Sequence, residues 1–174
     1  MIKHHQTTVL ADVLREVGLS ACAKFYRDPQ FLVAVLAAVP VLWLIHGWVP
    51  VFTSRHDFHW GILLSVILWQ PFVEELLFRG VIQGQFSKTL WARQALFKIT
   101  TANLVTSLLF VGMHMLNNLP TWSLSIIIPS LIFGYLRDRY NSVYPSMVLH
   151  GCYNAMVIAG LWLNGNLVIQ TMVS

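Results

Sequence analysis

Three short patterns place ionisable side chains where the surrounding sequence is apolar. Glu74, Glu75 and Arg79 fall in PFVEELLFRG, Phe110 and His114 in FVGMH, and His150 and Asn154 in HGCYN. Glu75 and Arg79, Phe110 and His114, and His150 and Asn154 are each spaced i, i+4, so each pair shares one face of a helix. Glu75 and Arg79 are therefore expected to form an ion pair along their helix. Glu74 is rotated about 100° from Glu75 and remains the free carboxylate. A free carboxylate close to an imidazole is suited to general-base activation of water. Attack of that water on a carbonyl creates an oxyanion, for which the His150 ring and the Asn154 amide are suitable hydrogen-bond donors. Ser65, Ser107 and Ser125 have no base at a defined spacing, so a Ser–His–Asp arrangement is not read here.

The elements that carry these patterns follow from composition. The chain has 174 residues, of which 11 are Lys or Arg and 7 are Asp or Glu; 56% are hydrophobic, and mean hydropathy is +0.64. So few charges cannot cover the outside of a soluble domain. The segments 29–54, 58–73, 99–136 and 140–174 carry no formal charge. An apolar helix of about 20 residues crosses a bilayer. The expected fold is an all-α, polytopic transmembrane helical bundle, with about five spans and an N-terminal amphipathic surface helix. A disordered tail and a nucleic-acid-binding module are excluded. The net charge of +4 belongs to loops that face headgroups and cytoplasm.

The spans are placed at Phe31 to about Phe52 with a kink at Pro40, Trp60 past Phe78, Thr101 to Leu116, Trp122 to Leu136 and Val143 to Leu163. The turn Asn117-Asn118-Leu119-Pro120 separates the third from the fourth. Lys and Arg alternate between loops: Lys3, Arg15, Lys24 and Arg27 precede the first span, whereas Arg55 alone follows it. Lys88, Arg93 and Lys98 lie between spans two and three, Arg137 and Arg139 between four and five, and none lies between three and four or after five. This predicts a cytoplasmic N-terminus and an outside C-terminus. Residues 1–30 form an interfacial segment, not a removable signal peptide, and residues 31–174 the membrane domain. In the former, Val9, Leu10, Val13, Leu14 and Val17 recur at helical spacing, for a helix lying on the membrane or packed on the protein. Cys22 is a candidate for acylation and Cys152 a packing residue.

Ionisable groups inside a bilayer must face one another or a wet cavity, which makes the three patterns a site. His46 reads instead as a helix–helix hydrogen-bonding residue, and His4, His5, His56 and His59 as solvated terminus and loop. With the second helix taken to Ile82, Glu74 lies about 12 Å, His150 about 10 Å and His114 about 20 Å from their cytoplasmic helix ends, at about 1.5 Å per residue. Convergence then requires the third span to start later or tilt.

Glu74-Glu75-x-x-x-Arg79, Phe110-x-x-x-His114 and His150-x-x-x-Asn154, in that order on successive spans, resemble the CAAX protease and bacteriocin-processing family, also called Abi. The resemblance covers about residues 60–160. It implies a glutamate-type intramembrane endopeptidase that needs no metal or cofactor. By motif, Glu74 resembles the water-activating glutamate and His114 its partner, His150 and Asn154 the oxyanion-stabilising pair, and Glu75 and Arg79 the supporting ion pair. The substrate would be a membrane-anchored or lipidated peptide. Five spans are fewer than in the eukaryotic enzymes. That points to a small bacterial inner-membrane member trimming peptides or C-terminal anchors of sorted proteins, and away from prenylated CAAX substrates. Two alternatives stand beside it. His114, His150 and Glu74 offer a His, His, Glu set for zinc, although no HExxH is present. A non-catalytic peptide-binding protein conferring bacteriocin immunity would use the same cluster without cutting.

Overall fold

The computed structural model describes residues 11–45, 56–116 and 118–170. The readings of His4, His5, His46 and the far end of the first span lie outside these residues. The described chain is mostly helical. In order it comprises α1 (residues 11–16), α2 (Pro29–Ile45), β1 (His56–His59), α3 (Trp60–Phe86), β2 (Ala95–Leu96), β3 (Ile99–Thr100), α4 (Thr101–Met115), α5 (Pro120–Ser125), α6 (Ile127–Tyr140), α7 (Tyr144–Leu163) and β4 (Leu167–Gln170). Among the described residues, α3 and α7 are long and apolar enough to cross a membrane; α2 and α4 are shorter apolar helices.

The bundle is apolar outside and buries polar side chains beside an apolar core of Phe31, Ala34, Phe133, Leu136 and Leu149. Trp43 and Trp69 are 76% and 63% exposed, whereas Glu75, Arg79, Gln83 and Asn103 are fully buried. Lipid tails are as apolar as leucine, so hydrocarbon gives such helices no hydrophobic reason to associate; small residues and interhelical hydrogen bonds hold them instead. At the α4–α6 crossing, a Cβ on Gly134 would fall 1.9 Å from Asn103 Oδ1, so only glycine fits. Asn103 there donates to Leu131 O (2.9 Å) and accepts from Ser107 Oγ (3.1 Å). Nearby, Asp138 accepts from Gln83 Nε2 (2.8 Å) and from Thr100 Oγ1 (2.7 Å). Thr100 also caps α4 by accepting from Asn103 N.

Three differences from the sequence reading have physical causes. The fourth span is not one helix from Trp122 to Leu136: α5 and α6 meet in a turn at Ile126. Pro129 has no N–H for the Ser125 carbonyl and its ring crowds that group, which breaks the helix there. Pro40, by contrast, sits within α2. His56 and His59 belong to β1, not a loop, and β1 pairs in parallel with β4, joining the segments before α3 and after α7.

The third difference lies along α3, which runs on to Phe86 and contains two π-helical stretches, Ser65–Trp69 and Leu76–Gln83, flanking the α-helical Gln70–Glu75. Wider turns of this kind collect at functional sites. Pro71 lacks the N–H that Ile67 O would otherwise accept. The freed carbonyls face α7. Val66 O accepts from Asn154 Nδ2 at 2.8 Å, and Ile67 O approaches Gly151 so closely that a Cβ there would lie 2.7 Å away.

The N-terminal segment packs on the other end of the bundle. Gly18 O accepts from Val143 N (2.9 Å), Ser20 O from Ser142 Oγ (2.8 Å), and Glu16 pairs with Lys88. Val13 and Leu14 stay exposed. The end of this segment thus packs on the protein, while the apolar residues Val13 and Leu14 of α1 face outward.

Candidate active site in the bundle interior

α3, α4 and α7 bring the three patterns together. Glu74 Oε2 lies 3.9 Å from His114 Nε2 and 3.9 Å from His150 Nε2. These distances exceed a direct hydrogen bond, and a water on the cavity side can bridge the groups. The convergence occurs without a late start of α4, which begins at Thr101. The longer α3 places Glu74 about 12 residues from its end at Phe86, close to the about 13 residues that separate His114 from Thr101. α7 starts deeper in the protein, since Ser142 and Val143 are buried under the N-terminal segment.

Adjacent carboxylates have opposite environments. Glu75 is fully buried: Oε1 accepts from His150 Nδ1 at 2.9 Å and lies 3.2 Å from Arg79 Nη1. The i, i+4 ion pair is present as the spacing implies. Its atoms are in ion-pair range without the alignment of a hydrogen bond, and among the described residues Glu75 Oε2, Arg79 Nε and Arg79 Nη1 make none. Arg79 is held instead by Ser130, donating from Nη2 to the carbonyl (3.0 Å) and the hydroxyl (2.7 Å). Its guanidinium also lies 4.5 Å from the Phe110 ring centroid and 5.4 Å from that of Phe133. Glu74 keeps 22% of its side chain accessible and faces a cavity of about 630 Å³.

Hydrogen bonding fixes both imidazoles. His114 Nδ1 is 2.9 Å from Phe110 O, an acceptor only, so Nδ1 carries the hydrogen. The other ring nitrogen, Nε2, is thereby turned toward Glu74. His150 Nδ1–H donates to Glu75, which likewise leaves Nε2 on the cavity side. Phe110 packs against His114 (4.5 Å between centroids) and Phe78 (5.0 Å), and Phe133 stacks on His150 at 4.8 Å. Asn154 lines the cavity while one amide hydrogen holds Val66 O.

All seven residues marked in the sequence thus meet at one place. Ser130, Phe133 and the Val66 carbonyl, which complete the arrangement, were not marked. Ser130 and Phe133 carry no spacing signal, whereas Pro71 was a visible sign of freed carbonyls. Among the described residues, no group of three or more His, Cys, Asp or Glu is placed to hold a metal ion. Cys22 and Cys152 are free thiols, both partly buried.

A helical bundle with an apolar surface thus encloses a carboxylate and two oriented imidazoles. Residues 56–156, which contain all three patterns, match the family described as Type II CAAX prenyl endopeptidase Rce1-like. The chain belongs to this family of membrane proteases. No curated protein and no solved structure matches it.

Proposed function

We propose that the protein is a glutamate-type intramembrane endopeptidase that hydrolyses a peptide bond in a membrane-anchored or lipidated peptide. The observation that carries this reading is the position of Glu74, 3.9 Å from the Nε2 atoms of two imidazoles and open to the cavity. A water between these groups gives its hydrogens to the Glu74 carboxylate and to Nε2 of His114. Its oxygen attacks the scissile carbonyl carbon as one proton passes to Glu74. His150 in its imidazolium form donates through both nitrogens, to Glu75 and to the oxyanion, and the second Asn154 amide hydrogen is the other donor. When the C–N bond breaks, Glu74 returns the proton to the leaving nitrogen. The products are a free carboxyl group, which keeps the second water hydrogen, and a free amine. Glu75, Arg79 and Phe110 hold the two rings in place. Donors set in advance around a developing charge are commonly the largest single contribution to catalysis.

In this reading five spans cross the inner membrane of a bacterium, with residues 1–30 on the cytoplasmic side. Two contacts support that topology. The β1–β4 pairing joins the two segments that the positive-inside count puts outside. The N-terminal segment docks beside Ser142 and Val143, which the same count puts inside.

The test is cleavage in proteoliposomes of two probes: a farnesylated CAAX peptide and a single-span peptide with a C-terminal hydrophobic anchor. Wild type cuts one or both, and Glu74→Gln cuts neither. Undiminished cleavage by Glu74→Gln overturns the assignment of the base. Binding of both probes without cleavage by wild type overturns the protease reading in favour of peptide capture.

A further inference from the structure

The cavity beside Glu74 is lined by five neutral side chains bearing amides or phenolic and aliphatic hydroxyls: Gln70, Asn118, Ser125, Tyr153 and Asn154. Four of them are already engaged with main-chain carbonyls of the protein. Asn118 donates to His114 O (3.1 Å), Ser125 to Trp122 O (2.6 Å), Tyr153 to Ala34 O (2.8 Å) and Asn154 to Val66 O (2.8 Å). Gln70 differs. Its carboxamide is accessible and has no hydrogen-bond partner among the described residues. Gln70 is also exposed on the cavity side, so its amide is available to a partner beyond the described residues.

Position identifies that partner. Gln70 and Glu74 lie in the α-helical stretch Gln70–Glu75, four residues apart and on one face. Four residues, about 6 Å at about 1.5 Å per residue, separate them along the axis. An extended peptide advances about 3.3 Å per residue. A chain whose scissile carbonyl sits at Glu74 therefore places a main-chain amide at Gln70 about two residues away. A carboxamide supplies one acceptor and two donors, which complements the N–H and C=O of such a strand. A helical substrate has those groups already satisfied.

Resting on the protease reading above, we infer that Gln70 is a substrate-binding residue that clamps the main chain of an extended, unwound peptide. The clamp lies about two residues from the scissile bond, on the side of Glu74 toward β1. Its Oε1 accepts from the peptide N–H and its Nε2 donates to the peptide C=O. Recognition at this point is indifferent to the substrate's side chains and selects for local unwinding.

The test uses the farnesylated CAAX peptide and the single-span anchor peptide, with each backbone amide near the scissile bond replaced in turn by an ester. Gln70→Leu keeps the size of the side chain and removes both hydrogen bonds. It is expected to raise KM about tenfold, the worth of roughly one or two net hydrogen bonds, with kcat changed far less. One ester position should weaken wild type by a similar factor and leave Gln70→Leu unaffected; Gln70→Asn should restore part of the loss. Equal sensitivity of both proteins to every ester, or a fall in kcat at constant KM, overturns the inference. The same ester series is read as binding affinity in a Glu74→Gln background, with and without Gln70→Leu. A Gln70-dependent ester effect on binding where wild type cuts neither probe supports the clamp and refutes the protease reading. Cleavage with no Gln70-dependent ester effect does the reverse. Absence of saturable binding counts against the clamp.

Discussion

Glu74 and Asp138 both sit in the helical bundle, at opposite ends of one internal polar seam, and they are built on different principles. Asp138 is surrounded by donors that meet it directly, Gln83 at 2.8 Å and Thr100 at 2.7 Å, tying α3, the start of α4 and the end of α6 together. Glu74 has, among the described residues, the Nε2 atoms of His114 and His150 as its nearest ionisable partners, each 3.9 Å away and beyond a direct hydrogen bond. A buried polar group that serves stability has its hydrogen bonds made within the protein. One that serves chemistry keeps its capacity for a molecule that arrives later, and the surrounding fold must bear the cost of leaving it incomplete. Between them, Glu75 and Arg79 belong to the first kind by burial and to the second by location: they orient His150 without facing the cavity.

Substitutions can break or sharpen this contrast. The largest effect is expected at Glu74. Glu74→Gln should lower the rate of cleavage by about 10²- to 10⁴-fold, the range for loss of a general base, with no loss of thermal stability in detergent micelles. A large fall in melting temperature would place Glu74 with the structural groups. Arg79→Met removes one member of a fully buried pair and leaves Glu75 with His150 alone. A cost of about 3–5 kcal/mol in unfolding free energy is expected, seen as failure to accumulate in the membrane or early melting. A variant as stable as wild type would show that Ser130 and the two phenyl rings do not depend on the cation. At the structural end, Gly134→Ala forces a methyl group into Asn103 and should cost about 1–3 kcal/mol, as other overpacked positions do. Asn103→Ala in the same chain should recover part of it. Asp138→Asn should cost about 1–3 kcal/mol by mismatching its donors, while the surviving folded protein keeps its specific activity. A selective loss of turnover would extend the site to this end of the seam. The smallest expected effect is that of a chelator, which should leave cleavage unchanged. Loss of activity restored by added zinc would return His114, His150 and Glu74 to the role of ligands.

Much of the site was legible because helical spacing is a local rule. The i, i+4 pairs in PFVEELLFRG, FVGMH and HGCYN define faces without knowledge of any neighbour, and the two consecutive glutamates had to point in different directions. The scarcity of charge made a membrane bundle the expected fold, and apolar helices that bury polar side chains between them are what the structure displays. The reading ran short where helices depart from the ideal repeat. Depth counted from Ile82 put His114 out of register, since neither the continuation of α3 to Phe86 nor its π-helical turns follow from an even spacing of 1.5 Å per residue. The single helix drawn from Trp122 to Leu136 overlooked what Pro129 does to Ser125. The loop assigned to His56 and His59 is a strand because a segment more than a hundred residues later pairs with it.

What the sequence determined alone was the set of polar groups that hydrocarbon would not accept singly, together with the faces on which they lie. That is a property of residue type and of a fixed angle per residue. What only the tertiary structure decided was distance and availability: that Glu74 stops 3.9 Å short of two imidazoles, that Glu75 is sealed against Arg79, and that Gln70, among the described residues, keeps its amide free while its neighbours in the cavity do not. Those outcomes depend on which carbonyls a π-turn releases and which glycines let two helices touch, and such contacts join residues far apart in the chain.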